Sequence, residues 1–195
     1  APYNATDILV IDPVAGTAQR TNMGAALSGT SKWRGITAAP DGKLYCAPYD
    51  ATDILVIDPV AGTATRTNMG ADLSGSGKWQ GIAAGPDGKL YCAPYNATDI
   101  LVIDPVAGTA QRTNMGAALS GTSKWRGITA APDGKLYCAP YDATDILVID
   151  PVAGTATRTN MGADLSGSGK WQGIAAGPDG KLYCAPYNAT DILVI

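Results

Sequence analysis

An all-β fold of repeated four-stranded units is predicted for this 195-residue chain by three observations. First, the tripeptide Ala-Pro-Tyr opens at Ala1, Ala47, Ala93, Ala139 and Ala185, a 46-residue period that gives four units (1–46, 47–92, 93–138, 139–184) and an eleven-residue remainder. Periods of about 20 to 50 residues mark repeat architectures. Second, short β-prone runs within each unit are separated by turns rich in Pro, Asp and Gly. Third, one run per unit, Ile54 to Ile57 in the second, is apolar at four consecutive positions. A strand with one wet face would alternate, so this strand must be covered on both sides. Four antiparallel strands per unit, stacked between neighbouring units, describe the blades of a β-propeller. The 3.6-residue pattern of helical repeats is absent.

Taking one unit in order, Trp33 to Pro40 reads as a first strand whose small side chains suit a crowded position where units converge. Pro40, Asp41 and Gly42 then close a hairpin: Pro presets φ, Asp bonds nearby backbone and Gly tolerates positive φ. In the second strand, Leu44, Cys46 and Pro48 share one face and Tyr45, Ala47 and Tyr49 the other, so both faces are apolar. Pro48 cannot donate to a ladder, which places the strand end or a bulge there. The third strand is Asp53 to Asp58, and Thr63 to Thr67 reads as a polar edge on which Arg66 discourages sheet-to-sheet association. The connector Asn68 to Gly77 leads to the next unit.

The chain has no His, and all 17 of its acids are Asp. Without His, neither a Ser/His/Asp nor a Cys/His catalytic arrangement is available. A net charge of −3 with no basic cluster argues against nucleic-acid binding. The longest apolar runs are far too short to cross a bilayer and no signal-peptide pattern opens the sequence. A soluble protein, made in a bacterial cytoplasm, is expected. Cys46, Cys92, Cys138 and Cys184 occupy equivalent points of different units, which favours buried free thiols over disulfides or a metal site. The Gly75 to Lys78 run lacks the spacing of a phosphate-binding loop, because Trp79 stands where Ser or Thr is required. The Asn-Ala-Thr tripeptides at Asn4, Asn96 and Asn188 read as loop segments, and the four tryptophans as packing between blades rather than ligand stacking. No cofactor is expected.

Residues 81–111, GIAAGPDGKLYCAPYNATDILVIDPVAGTAQ, resemble the blade pattern of YVTN-type and NHL-like propellers, in which a PDG hairpin precedes an apolar strand ending in Ile-Asp. The resemblance covers about two thirds of each blade and implies architecture, not a ligand. The YVTN tetrapeptide itself is replaced by Cys-Ala-Pro-Tyr. The lactonase or lyase members of that group use channel residues that differ between blades, which identical blades cannot reproduce. Residues 1–92 and 93–184 match at every position, and in this the chain resembles computationally symmetrised designer propellers of the Cake type.

Adjacent units differ at Asn4 against Asp50, Gln19 against Thr65, Ala26 against Asp72, Thr30 against Ser76, Ser31 against Gly77, Arg34 against Gln80, Thr37 against Ala83 and Ala39 against Gly85. Residues 1–46 carry four basic and three acidic groups, and residues 47–92 three basic and five acidic, so neighbours differ in sign. The expectation is charge pairing between blades by Arg34, Asp50, Asp72, Arg126, Asp142 and Asp164. Exposed pairs contribute only about 0 to 1 kcal/mol, so their role would be specificity, an even blade number. The remainder, residues 185–195, duplicates residues 1–11. The N-terminal end supplies a third and fourth strand and the C-terminal end a first, second and third. Closure therefore sets Ile8, Leu9, Val10 and Ile11 against Ile192, Leu193, Val194 and Ile195 in competition for one strand position. The favoured outcome is an eight-bladed ring of two chains, a homodimer with the chain itself as partner. The predicted function is a designed, self-assembling scaffold without enzymatic activity. The alternative is a natural, recently amplified propeller that binds a protein or glycan.

Overall fold

The computed structural model describes residues 1–195 and consists of β-strands joined by turns. The N-terminal sheet has two strands, β1 (Ile8–Asp12) and β2 (Thr17–Thr21). Three complete four-stranded sheets follow. The first holds β3 (Trp33–Ala38), β4 (Leu44–Pro48), β5 (Ile54–Asp58) and β6 (Thr63–Thr67). The second holds β7 (Trp79–Ala84), β8 (Leu90–Pro94), β9 (Ile100–Asp104) and β10 (Thr109–Thr113). The third holds β11 (Trp125–Ala130), β12 (Leu136–Pro140), β13 (Ile146–Asp150) and β14 (Thr155–Thr159). The C-terminal sheet has three strands, β15 (Trp171–Ala176), β16 (Leu182–Pro186) and β17 (Leu193–Val194). Every sheet is an antiparallel meander, as the hairpin turns require. No helix is long and apolar enough to cross a membrane.

Each blade takes its shape from local chemistry. In the PDG turn, Asp41 Oδ1 accepts the Lys43 amide and Oδ2 accepts the Tyr45 hydroxyl at 2.9 Å, so the carboxylate is committed to the hairpin. The β3–β4 register shifts between Arg34 and Ile36, and β4 ends at Pro48, where the missing amide ends the ladder. Arg66 on the outer strand is no free edge charge: Nε and Nη2 grip Asp53 at 2.7 to 3.1 Å, and Nη1 donates to the Ala26 carbonyl of the preceding connector. The guanidinium also lies over Trp33, 5.4 Å from the ring centroid, so it joins an edge to the strand entry of its own blade.

Both faces of the inner strands are buried between blades. Tyr45 and Ala47 pack forward in one cluster with Trp79, Leu90 and Cys92, whereas Cys46, Leu55 and Ile57 pack backward with Trp33 and Ile8. The first strands converge: a Cβ on Gly81 would lie 2.5 Å from the Arg126 carbonyl oxygen, so only glycine permits the approach of β7 to β11. Between blades, Lys78 is buried and its ammonium donates to the carbonyls of Tyr49, Ala51 and Gly75 at 2.7 to 3.0 Å. Three donors meet three acceptors, which explains a buried lysine with no acid in contact.

The cysteines are free and buried. Burial pushes the thiols of Cys46 and Cys184 from the ordinary 9.0 up to about 12, and those of Cys92 and Cys138 up as well. Between pH 9 and 12 the unfolded chain therefore loses thiol protons that the folded chain keeps, and stability falls as pH rises. Burial lowers Lys78 and Lys124 to about 8, which acts with the opposite sign, but only until the unfolded lysine titrates at 10.5. Unfolding free energies in urea are accordingly expected to rise from pH 8 to 9, where only the lysines act, to decline from pH 9 to 10.5, where four thiols outweigh two lysines, and to fall fastest above pH 10.5. They should then drop by about 1.4 kcal/mol per pH unit for each buried thiol. A flat profile up to pH 12 would contradict this assignment.

Candidate functional site

The candidate site is the pair of open ends of the blade series. Strand pairing ends at β1 on one side and β17 on the other, and β1 pairs with β2 alone. Contacts between first strands run from β3 to β7, β7 to β11 and β11 to β15, and the tyrosine series Tyr3, Tyr49, Tyr95, Tyr141, Tyr187 steps from blade to blade at 5.7 to 6.0 Å.

The two ends expose opposite faces of the same strand. Leu9 and Ile11 of β1 are 61% and 65% exposed, although the equivalent Leu55 and Ile57 are 0% and 3% exposed inside the series. At the other end the exposed residues are Ile192 and Val194, at 61% and 47%, against 0% and 8% for Ile54 and Val56. Val10 is half-buried at the N-terminal end, and Ile8 and Leu193 are buried. Ile195 is half-buried, and its backbone makes two hydrogen bonds with Leu182. Ile36 is exposed on the N-terminal face, and Tyr183 and Tyr187 on the C-terminal one. Each end thus presents the face that a following or preceding blade covers elsewhere.

Polar groups are divided in the same way. Arg66, Arg112 and Arg158 each lie over a tryptophan, respectively Trp33, Trp79 and Trp125, and each donates to a carbonyl forty residues earlier. Arg20 holds only Asp7, at 2.6 Å, and Trp171 has no arginine over it. By repeat position, Arg20 and Trp171 are the unmatched arginine and tryptophan of this set. Sequence reasoning passed over this pair, although the recurrence of Arg and Trp at fixed spacing carried the signal.

Within the chain, the six residues expected to pair by charge are engaged elsewhere. Arg34 lies over Tyr3 and Tyr49 at 4.3 and 4.6 Å, and Arg126 over Tyr141 at 3.6 Å. Asp50 and Asp142 accept the amides of Gly77 and Gly169 at 2.6 Å. Asp72 and Asp164 accept the amides of Ser74 and Ser166, bonds that hold their carboxyls below the ordinary range. All seven ion pairs involve other residues. The alternation has a steric side as well. Gly77, at φ 60°, lies against Asn96, and a Cβ there would collide with Asn96 Nδ2, whereas Ser31 at the equivalent place has Asp50 as its neighbour. Asn96 is itself pinned by the Ser123 amide.

The first-strand positions Arg34, Gln80, Arg126 and Gln172 line an open cavity of about 520 Å³, together with Tyr3 and the glycines of the converging strands. No protein-family model matches the sequence, and no curated protein matches it. Solved structures do match. Virginiamycin B lyase from Staphylococcus aureus superposes with a TM-score of 0.75 at 20% identity, over 97% of this chain and 59% of its own. The fold is a β-propeller. A streptogramin B lyase gives a TM-score of 0.70 at 19% identity over 97% of this chain and 61% of its own. An auxiliary nutrient binding protein from Bacteroides ovatus gives 0.67 at 15% identity over 95% and 49%. The chain thus spans less than two thirds of these propellers. Likeness at these identities is one of fold, and the neighbours that share it include both lyases and a nutrient binding protein.

Proposed function

We propose that the chain is a structural building block that closes a ring with a second copy of itself, giving an eight-bladed propeller of two alternating blade types without catalytic activity. The complementary exposure at the ends carries this reading: Leu9 and Ile11 bare one face of the third strand, and Ile192 and Val194 the other. Joining these ends, with the β1–β2 hairpin of one chain taking the place of β17 in the other, is head-to-tail, and such contacts stop growing only when rotation closes the ring. Two chains make two identical junctions, each placing Arg20 of one chain over Trp171 of the other. Alternation carries across the junction without a break, because residues 1–11 follow the last full unit as residues 185–195 do. The identity of residues 1–92 with 93–184 supports a designed origin.

Light scattering on the purified chain tests the assembly. The expected mass is twice the 19.9 kDa of one chain, independent of dilution through the micromolar range. A mass of one chain would sink the two-chain ring.

A further inference from the structure

The open cavity at the first strands holds cationic groups without counter-ions. Four of the six arginines, Arg20, Arg66, Arg112 and Arg158, hold an aspartate; Arg34 and Arg126 hold none. Their guanidinium groups rest on tyrosine rings, and Arg126 Nε is buried with no hydrogen-bond partner. Between them on the next first strand stands Gln80, 6% exposed, whose Nε2 is likewise buried and unpartnered. An unmade hydrogen bond to a buried donor is costly, so two orphaned donors beside one cavity mark a place where an acceptor is missing. The neighbouring acids do not fill it: Asp50 and Asp142 are held by backbone amides, and no carboxylate lines the cavity.

We infer that Arg34, Gln80, Arg126 and Gln172 form a binding site for a small multivalent oxyanion of the diphosphate type. A guanidinium is a planar fork that meets two oxygens of a phosphate at once, and desolvation by aromatic rings strengthens the attraction. Two such forks, separated by the glutamine of the intervening blade, suit a ligand with an anionic group at each end. The cavity, at about 520 Å³, has room for it. The four residues belong to one chain, so the site goes beyond the assembly reading and does not rest on it; a ring of two chains holds the set twice.

Calorimetric titration of the full chain with inorganic pyrophosphate at low salt tests the site. Saturable binding is expected. The double variant Arg34→Gln/Arg126→Gln should weaken it by about tenfold or more, whereas Lys43→Gln/Lys135→Gln, which removes the same charge outside the cavity, should leave it within about twofold. Gln is the residue of the alternate blade at both substituted arginine positions, so the first variant keeps a side chain that the blade already carries. No saturable binding by the parent chain, or equal weakening by the two variants, overturns the assignment. Light scattering on the same samples separates the two readings. A single-chain mass with pyrophosphate bound leaves the site standing and removes the ring; a two-chain mass without binding does the reverse.

Discussion

Trp79→Ala is expected to destabilise the chain by about 3 to 5 kcal/mol, the range for deleting a fully buried aromatic side chain. Trp79 is 0% exposed and packs among Tyr45, Ala47, Leu90 and Leu101, so its cavity would open between two blades rather than within one. The indole also donates 2.9 Å to the Asp99 carbonyl and carries the Arg112 guanidinium at 5.4 Å. Asp99 holds that same guanidinium through its side chain, at 2.8 to 3.0 Å. Removing the ring therefore leaves a carbonyl without its donor and loosens the tie between blade entry and outer strand. Urea unfolding at 25 °C reads the loss, and a change below about 1 kcal/mol would show that the inter-blade cluster is not a main source of stability.

Deletion of residues 1–21 is expected to abolish the proposed two-chain assembly, while deletion of residues 185–195 is expected to leave it intact. The first removes β1 and β2, which pair over five rungs from Ile8–Thr21 to Asp12–Thr17 and dock as a hairpin. The second removes Ala185 and Pro186 at the end of β16, which residues 1–2 duplicate, and with them β17, which pairs with β16 at Tyr183–Val194 and Cys184–Leu193 and has no strand on its outer side. Its register is that of an internal third strand: Cys184 faces Leu193 as Cys46 faces Leu55. A partner's β1 can therefore take its place rung for rung, and the hairpin brings the fourth strand as well. Light scattering on both truncations decides the matter. A chain that stays two-fold without residues 1–21, or falls to one-fold without residues 185–195, contradicts this mode of closure.

Much of the blade was legible in the residues themselves. Pro-Asp-Gly specified the hairpin because its geometry is local, and Ile54 to Ile57 specified a strand covered on both faces because four apolar residues cannot alternate. The two faces of Leu44 to Tyr49 separate in the structure as the two-residue period requires, Tyr45 and Ala47 forward and Cys46 backward. Arg66 was legible as an outer-strand residue but not as a clamp, since its partners Asp53 and Ala26 lie 13 and 40 residues away. The site was legible only in part. Leu9, Ile11, Ile192 and Val194 stood in the duplicated strand, but which face each end leaves bare depends on where the neighbouring blades stop.

What the sequence determined alone is the repeat, its two alternating versions, the strand order within a blade and the surplus third strand, because turns and side-chain alternation act over a few residues. Tertiary structure decided what the alternating residues touch. Arg34 meets tyrosine rings one period apart, Asp50 meets the Gly77 amide, and Gly77 makes room for Asn96. These partners come from successive blades, and only the packing of one blade on the next brings them within hydrogen-bonding or stacking range. Tertiary structure also decided that the arc ends in two unlike apolar faces, because burial is a property of neighbours and the terminal blades each have one neighbour fewer.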